Sequence, residues 1–264
     1  MDKNMKIGFI GFGNMAMAIC DGLLLKKIIS PENIYACARN QAKLSANASA
    51  RGIHACADAS EAAAKSDILV VAVTPDQARN ALEPALPALT GKIIVSISAG
   101  CLFDFYEEFL PAGTAHISTI PNTPVSVGEG VFVCEERHSL SGEQKRCFEE
   151  IFGSIAVIEY VKPELLWIGG SVAGCAPAFA AMMIEALGDA GVKYGLSRQT
   201  AYRLASQMMA GTGKLALKSS EHPGALKDAV CSPGGDTIRG VIALDKNGFR
   251  GALDEAMDAV MREA

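Results

Sequence analysis

The apolar positions change their period once along this chain, and the change divides it. Residues 5–11, 33–38, 67–73 and 92–98 are short, nearly continuous apolar runs, the pattern of strands covered on both faces. A short third strand at 52–54 and further runs at 115–120, 131–134 and 155–160 extend the series. Stretches of helical period lie between them, at 14–27, 41–51, 60–65 and 141–153. This alternation predicts an α/β fold, a doubly wound parallel sheet with helices on its faces. After Lys162-Pro163 the strand signals stop. Residues 169–194 form one long, nearly uncharged segment, and residues 197–218 a second helix with Ser197 as its N-cap. His222-Pro223-Gly224 reads as a turn, and residues 251–262 as a last amphipathic helix. The prediction is therefore an α/β domain over residues 1–162 followed by an all-helical domain over 163–264.

The second half raises a packing problem. A 26-residue apolar helix is about 39 Å long, more than a helical domain of this size covers by itself. Burial against a second copy solves it and predicts a homodimer through that helix. Its Met182-Met183 pair reads as core.

The first predicted strand and helix are joined by Gly8-x-x-Gly11-x-Gly13-x-x-Ala16. Gly11 permits a tight turn, Gly13 lets a pyrophosphate approach the backbone, and Ala16 lets helix and strand pack closely. Placed between a strand and a helix, this is a dinucleotide fingerprint of the Rossmann type, with Phe12, Asn14 and Met15 completing the turn. The second strand ends in Ala38-Arg39-Asn40, where an acid for the ribose diol of NAD is expected. Arg39 instead suits a 2′-phosphate. NADPH is thus the expected cofactor, with NADH second, the alternative for Arg39 being a solvated loop residue. Ligands of such sheets bind at the carboxyl ends of the strands. That places Ala72-Val73-Thr74-Pro75 and Ser98-Ala99-Gly100 beside the nicotinamide half.

Near the end of the chain stands Ser232-Pro233-Gly234-Gly235-Asp236-Thr237. Ser232 suits an N-cap and Pro233 a first helical position, with an apolar period following. Two glycines there leave backbone amides bare, a seat for a carboxylate or phosphate. The plain alternative is a Gly-rich helix start.

The residues available limit the chemistry. Alcohol oxidation wants a general base, His or Lys. No lysine lies between Lys162 and Lys193, and no histidine between His138 and His222. A protonated imine needs only a hydride and modest hydrogen bonding. A net charge of −5 gives no general attraction to nucleic acid. The eight cysteines form no C-x-x-C pair and the four histidines complete no metal-ligand spacing, so buried thiols and no metal are expected. No signal peptide is evident and no uninterrupted apolar run approaches about 20 residues. A cytoplasmic protein without a membrane span is expected.

Taken together, these features resemble pyrroline-5-carboxylate reductases over essentially the whole chain. The signature Leu-x-Asp-x-Val-x-Ser-Pro-Gly-Gly-x-Thr is met from Leu226 to Thr237. The HPG turn at 222–224, the DAGVKYGL run at 189–196 and Asn247-Gly248-Phe249-Arg250 also fit. So do Val73-x-Pro75, Ser98-Ala99-Gly100 and Pro121-Asn122-Thr123-Pro124. The resemblance implies NADPH-dependent reduction of 1-pyrroline-5-carboxylate to L-proline, the last step of proline biosynthesis. It implies that amides around Gly234, Gly235, Asp236 and Thr237 bind the substrate carboxylate. The Thr237 hydroxyl would then bond the ring nitrogen as the catalytic group, with Glu164 the nearest acid before the long helix. It also implies intertwined dimers, which in the family often assemble into decamers. The chain departs from the family pattern at Ala173-Gly174-Cys175-Ala176-Pro177, at Thr74 where Lys is usual, at Ser118-x-Ile120 where Arg-x-Met is usual, and at Asp236. Asp236 either points at the carboxylate seat or lies outside it along the helix dipole. Rival readings are a reductase of a related cyclic imine, a β-hydroxyacid dehydrogenase, and a non-catalytic NADP(H)-binding protein.

Overall fold

Eight strands form one sheet in the computed structural model, which describes residues 5–262. They are β1 (Ile7–Ile10), β2 (Ile34–Cys37), β3 (His54–Ala55), β4 (Ile68–Val71), β5 (Ile93–Ser96), β6 (Ala115–Pro121), β7 (Gly130–Glu135) and β8 (Ala156–Val161). Their order is β3-β2-β1-β4-β5-β6-β7-β8. The first six are parallel, with Ile7 opposite both Ile34 and Ile68. Chain order reverses about β1, so β1 and β4 flank the switch point where doubly wound sheets bind ligands.

The sheet is not parallel throughout, as the alternation led one to expect. β7 runs antiparallel to β6, with Ile120 opposite Val133, and β8 is parallel to β7. The reason is the link between β6 and β7, residues 122–129, which holds a single 3-10 turn, Thr123–Val127. A parallel return needs a crossover of about a dozen residues or more.

Helices α1 (Asn14–Leu25), α2 (Gln41–Arg51), α3 (Ala59–Ala64), α4 (Pro75–Leu82), α5 (Phe103–Glu107) and α6 (Gly142–Phe152) cover the sheet. One face packs Ile7 and Phe9 against Ile19, Leu23, Leu44, Phe148 and Phe152. The other packs Ile10, Leu69 and Val71 against Ala62, Ala78, Leu82 and Tyr106. All four residues of β4 are at 0% exposure, as its unbroken apolar run requires. Each such side chain contributes about 1.5–3 kcal/mol by leaving water.

The later helices are α7 (Leu166–Gly170), α8 (Ala176–Lys193), α9 (Arg198–Ser219), α10 (Pro223–Ala229), α11 (Asp236–Lys246) and α12 (Phe249–Met261). The chain divides into two compact units, one ending at Gly174 and one beginning at Cys175. The predicted segment 169–194 is therefore not one regular helix. α7 ends just inside it, at Gly170, and a π-helical turn, Ser171–Cys175, interrupts it. Pro177 explains the break, because it has no N–H to give to the Ala173 carbonyl. The Asn122 side chain donates to that carbonyl instead, at 2.9 Å.

In the second unit α8 and α9 pack together through small residues, Gly191 facing Ala201. Ser197 caps α9 as expected, its hydroxyl accepting from the Thr200 amide. His222 is not merely a turn residue; its Nδ1 accepts from the Gly224 amide and caps α10. Two further expectations change. The helical run Pro163–Lys193 is longer in its apolar character than the sequence reading allowed, enough by length and composition alone to cross a membrane, a test that an apolar core helix also meets. Nor are all the thiols buried, since Cys175 is exposed and Cys147 and Cys231 are half-buried.

Candidate functional site

A cleft of about 910 Å³ opens at the carboxyl ends of β1, β2 and β4. Its floor is the turn after β1. Gly11 has φ +88°, and a Cβ there would lie 2.5 Å from the Ala72 carbonyl oxygen, so only glycine fits. The Gly11 amide donates to Cys37 O at 3.0 Å, which ties the turn to β2. Gly13, the N-cap of α1, has no atom within 4 Å of where a Cβ would stand. Backbone amides thus face open space at the start of a 12-residue helix with no acid in its first turn, which suits a pyrophosphate. Phe12 faces the other way. Its ring is buried against Phe9, so only its backbone serves the cleft.

Arg39, Asn40, Ala72, Val73 and Thr74 line the same cleft. Asn40 is occupied as the N-cap of α2, its side chain accepting from the Lys43 amide at 2.9 Å. Arg39 is exposed. Across from it, the Thr74 side chain hydrogen-bonds Asp76 and holds that carboxyl below the usual carboxylate range, with the charge of Arg39 adding to the effect. Asn14, Met15 and Pro75 lie in the first turns of α1 and α4 beside the cleft. Ser98 is buried and donates to Val73 O at 2.7 Å, joining the loop after β5 to the loop after β4. Ala99 and Gly100 are exposed beyond it.

Five further polar residues of the cleft, Gln41, Lys43, Asp58, Gln77 and Asn80, escaped the sequence reading. Asp58 had a usable signal. Asp58-x-x-Glu61 is a capping pattern, and Asp58 caps α3 by accepting from the Glu61 amide at 2.9 Å. Lys43 carried a weaker one, a second cation one helical turn after Arg39.

The expected substrate residues fall in both units. Glu164 is exposed in the 3-10 turn Pro163–Leu165 of the first. Gly234, Gly235, Asp236 and Thr237 belong to the second. Here the predicted helix start is corrected. Ser232 is not the N-cap and Pro233 is not helical; α11 begins at Asp236 with Gly235 as its N-cap. Gly234 has φ +71°, and the Gly235 amide donates to Ser232 O at 3.0 Å. A Pro-Gly pair with positive φ at the second position makes a type II turn, which a helix cannot contain. The seat nonetheless keeps bare amides, since no side chain caps α11. Asp236 is turned back onto Arg239, and Arg239 also donates to Gly234 O at 2.9 Å. Thr237 is exposed in the same first turn.

A switch-point cleft with this glycine turn, on a doubly wound sheet followed by a helical unit, defines a Rossmann-type, dinucleotide-dependent oxidoreductase. Its likeness to known proteins narrows the class. Over 261 residues the chain is 42% identical to a pyrroline-5-carboxylate reductase of Treponema pallidum, covering 97% of this chain and 99% of that one. The chain belongs to the pyrroline-5-carboxylate reductase family. It is 36% identical to the Escherichia coli reductase, over 98% of this chain and 97% of that one. Residues 164–264 match the family model for pyrroline-5-carboxylate reductase dimerisation, and residues 6–100 that for NADP oxidoreductase, coenzyme F420-dependent. The crystal structure of Plasmodium falciparum pyrroline carboxylate reductase with NADP bound superposes with a TM-score of 0.84 at 32% identity, covering 99% of this chain and 97% of that one.

Proposed function

We propose that this protein reduces 1-pyrroline-5-carboxylate to L-proline with NADPH, the last step of proline biosynthesis. The observation that carries the reading is the turn at 232–237. Its signature is intact, and it leaves the first amides of α11 without a side-chain cap. Such amides suit the substrate carboxylate. The Thr237 hydroxyl, in that same turn, bonds the ring nitrogen and steadies it as it becomes an amine. Glu164 contributes an acceptor to the substrate. No lysine or histidine base is needed, because the cationic C=N is already an electrophile.

The cleft after β1 fits a dinucleotide, with Gly11, Phe12, Gly13, Asn14 and Met15 giving backbone to the pyrophosphate and Arg39 meeting the 2′-phosphate. Such a cofactor supplies a hydride when bound. Ala72–Pro75 and Ser98–Gly100, at the carboxyl ends of β4 and β5, flank the nicotinamide half. The exposed apolar side chains of α8 and α9 support a homodimer through the long helix. A cytoplasmic location is part of this reading, and eight free cysteines are consistent with it.

The test is NADPH oxidation with 1-pyrroline-5-carboxylate, compared with other cyclic imines and with hydroxyacids in the reverse sense. Fastest turnover with 1-pyrroline-5-carboxylate is expected. Faster turnover of another imine reassigns the substrate, and tight NADPH binding without turnover of any imine overturns the enzyme reading. Thr237→Ala is expected to lower kcat about 100–1,000-fold, the scale of one lost proton-handling or oxyanion-type contact. Full activity would remove Thr237 from the mechanism.

A further inference from the structure

Beneath the loop that follows β5 lies a set of buried polar side chains that the proposed reaction does not use. Ser118 and Glu135 are 2% and 1% exposed. They stand on neighbouring antiparallel strands, one step beyond the Thr119–Cys134 pair. The Ser118 hydroxyl donates to Cys101 O at 2.8 Å, and Glu135 Oε2 accepts from the Phe103 amide at 2.9 Å. Tyr106 donates to the Ser96 hydroxyl at 2.7 Å, and the Thr119 hydroxyl donates to Ser96 O at 2.8 Å. With Ser98 on Val73 O, the loop is fastened at residues 98, 101 and 103. Gly100, between the fastenings, has φ +90° and open space around it.

Holding a carboxylate there is costly, and burial raises the Glu135 carboxyl above its ordinary range. Arg137 offsets part of that cost from outside, while sharing itself with Asp104. Neutral side chains could hold a loop more cheaply. What the loop requires is an acceptor that reaches the Phe103 amide, and the Glu135 side chain supplies it at 2.9 Å.

We propose that Glu135, supported by Ser118, is a positioning residue for the reduction, holding the Ser98–Phe103 loop against the nicotinamide. The inference rests on the proposed function only for what the loop touches. A misplacement of about 1 Å in a positioning element costs up to about 100-fold in rate. Glu135→Ala is therefore expected to lower kcat about tenfold and to raise KM for NADPH about fivefold. Glu135→Gln keeps an acceptor for the Phe103 amide and should restore both to within about threefold of the unaltered enzyme. A merely structural loss lowers kcat with the folded fraction and leaves both KM values in place; that result overturns the proposal. So does Gln failing to restore activity while the protein remains folded.

If Glu135→Ala does not fold, Ser118→Ala and hydrogen exchange at Phe103 decide the matter. Faster exchange at Phe103 together with a raised KM for NADPH supports the bracket, and unchanged values for both overturn it. The unaltered chain is assayed first with 1-pyrroline-5-carboxylate. If it turns over no imine, the reaction is wrong, and NADPH affinity in Glu135→Ala against Glu135→Gln still decides whether the bracket holds a cofactor loop.

Discussion

The two units bury their apolar residues in opposite ways. In the first, β1, β4 and β5 are sealed on both faces, and Ile68, Leu69, Val70 and Val71 see no solvent. In the second, Ala201 and Ala205 are the only buried hydrophobic side chains among the described residues. Met182 is 67% exposed, Leu204 56% and Leu217 72%. The apolar content of the second unit is not low; it is unspent. An exposed face of this apolar character has the composition of an association site. The first unit is stabilised by its own sheet, whereas the second leaves exposed the apolar face that the proposed homodimer would cover.

The strongest way to break this contrast is a charge on each side of it. Leu204→Asp should abolish the dimer and lower activity more than about 100-fold, since an unpaired charge would be buried at the interface. Leu25→Asp, on an exposed apolar position of the first unit at 59% exposure, should change stability by no more than about 0.5 kcal/mol. Light scattering with a steady-state assay reads both. A dimer that survives Leu204→Asp with full activity would mean that the exposed face is not the interface.

A sharper and smaller effect separates two glycines within the first unit. Gly11→Ala forces a side chain onto the Ala72 carbonyl at a positive φ, and should destabilise the fold by about 1–3 kcal/mol, read by denaturant unfolding. Gly13→Ala meets nothing in the fold and should leave stability within about 1 kcal/mol. It should instead weaken NADPH binding about 10–100-fold, because its methyl group occupies the space a pyrophosphate needs. Equal binding losses without a stability difference would erase the distinction between a turn glycine and a ligand glycine.

The same contrast governs what the sequence could disclose. Strands sealed on both faces write themselves as apolar runs, so β1, β2, β4 and β5 were legible to within two residues at each end, and the glycine turn located the cleft. The direction of β7 was not legible from its own residues. It depends on the length of the link before it, which holds too little chain for a crossover. The start of α11 was misread because Ser-Pro has the same chemistry at a helix N-terminus as at a type II turn. Only the positive φ of Gly234 separates them. Glu135 was silent because its role comes from a strand and a helix start brought together across 32 residues, which no local period records.

The smallest predicted effect concerns Asp236, the charge least suited to a carboxylate seat. Its side chain is 96% exposed and held by Arg239, one helical turn on. Arg239 also steadies the turn through Gly234 O. An exposed pair of this kind contributes at most about 1 kcal/mol, so the effect belongs in substrate affinity rather than in stability. Arg239→Gln leaves the Asp236 charge free beside the seat and should raise KM for the imine about threefold at low salt. The increase should fade at high ionic strength, since the Debye length falls to about 3 Å at 1 M salt. Asp236→Thr placed in the Arg239→Gln background removes the repelling charge and should bring KM back. If it does not, Arg239 acts through the Gly234 carbonyl alone, and the acid at 236 is neutral toward the substrate.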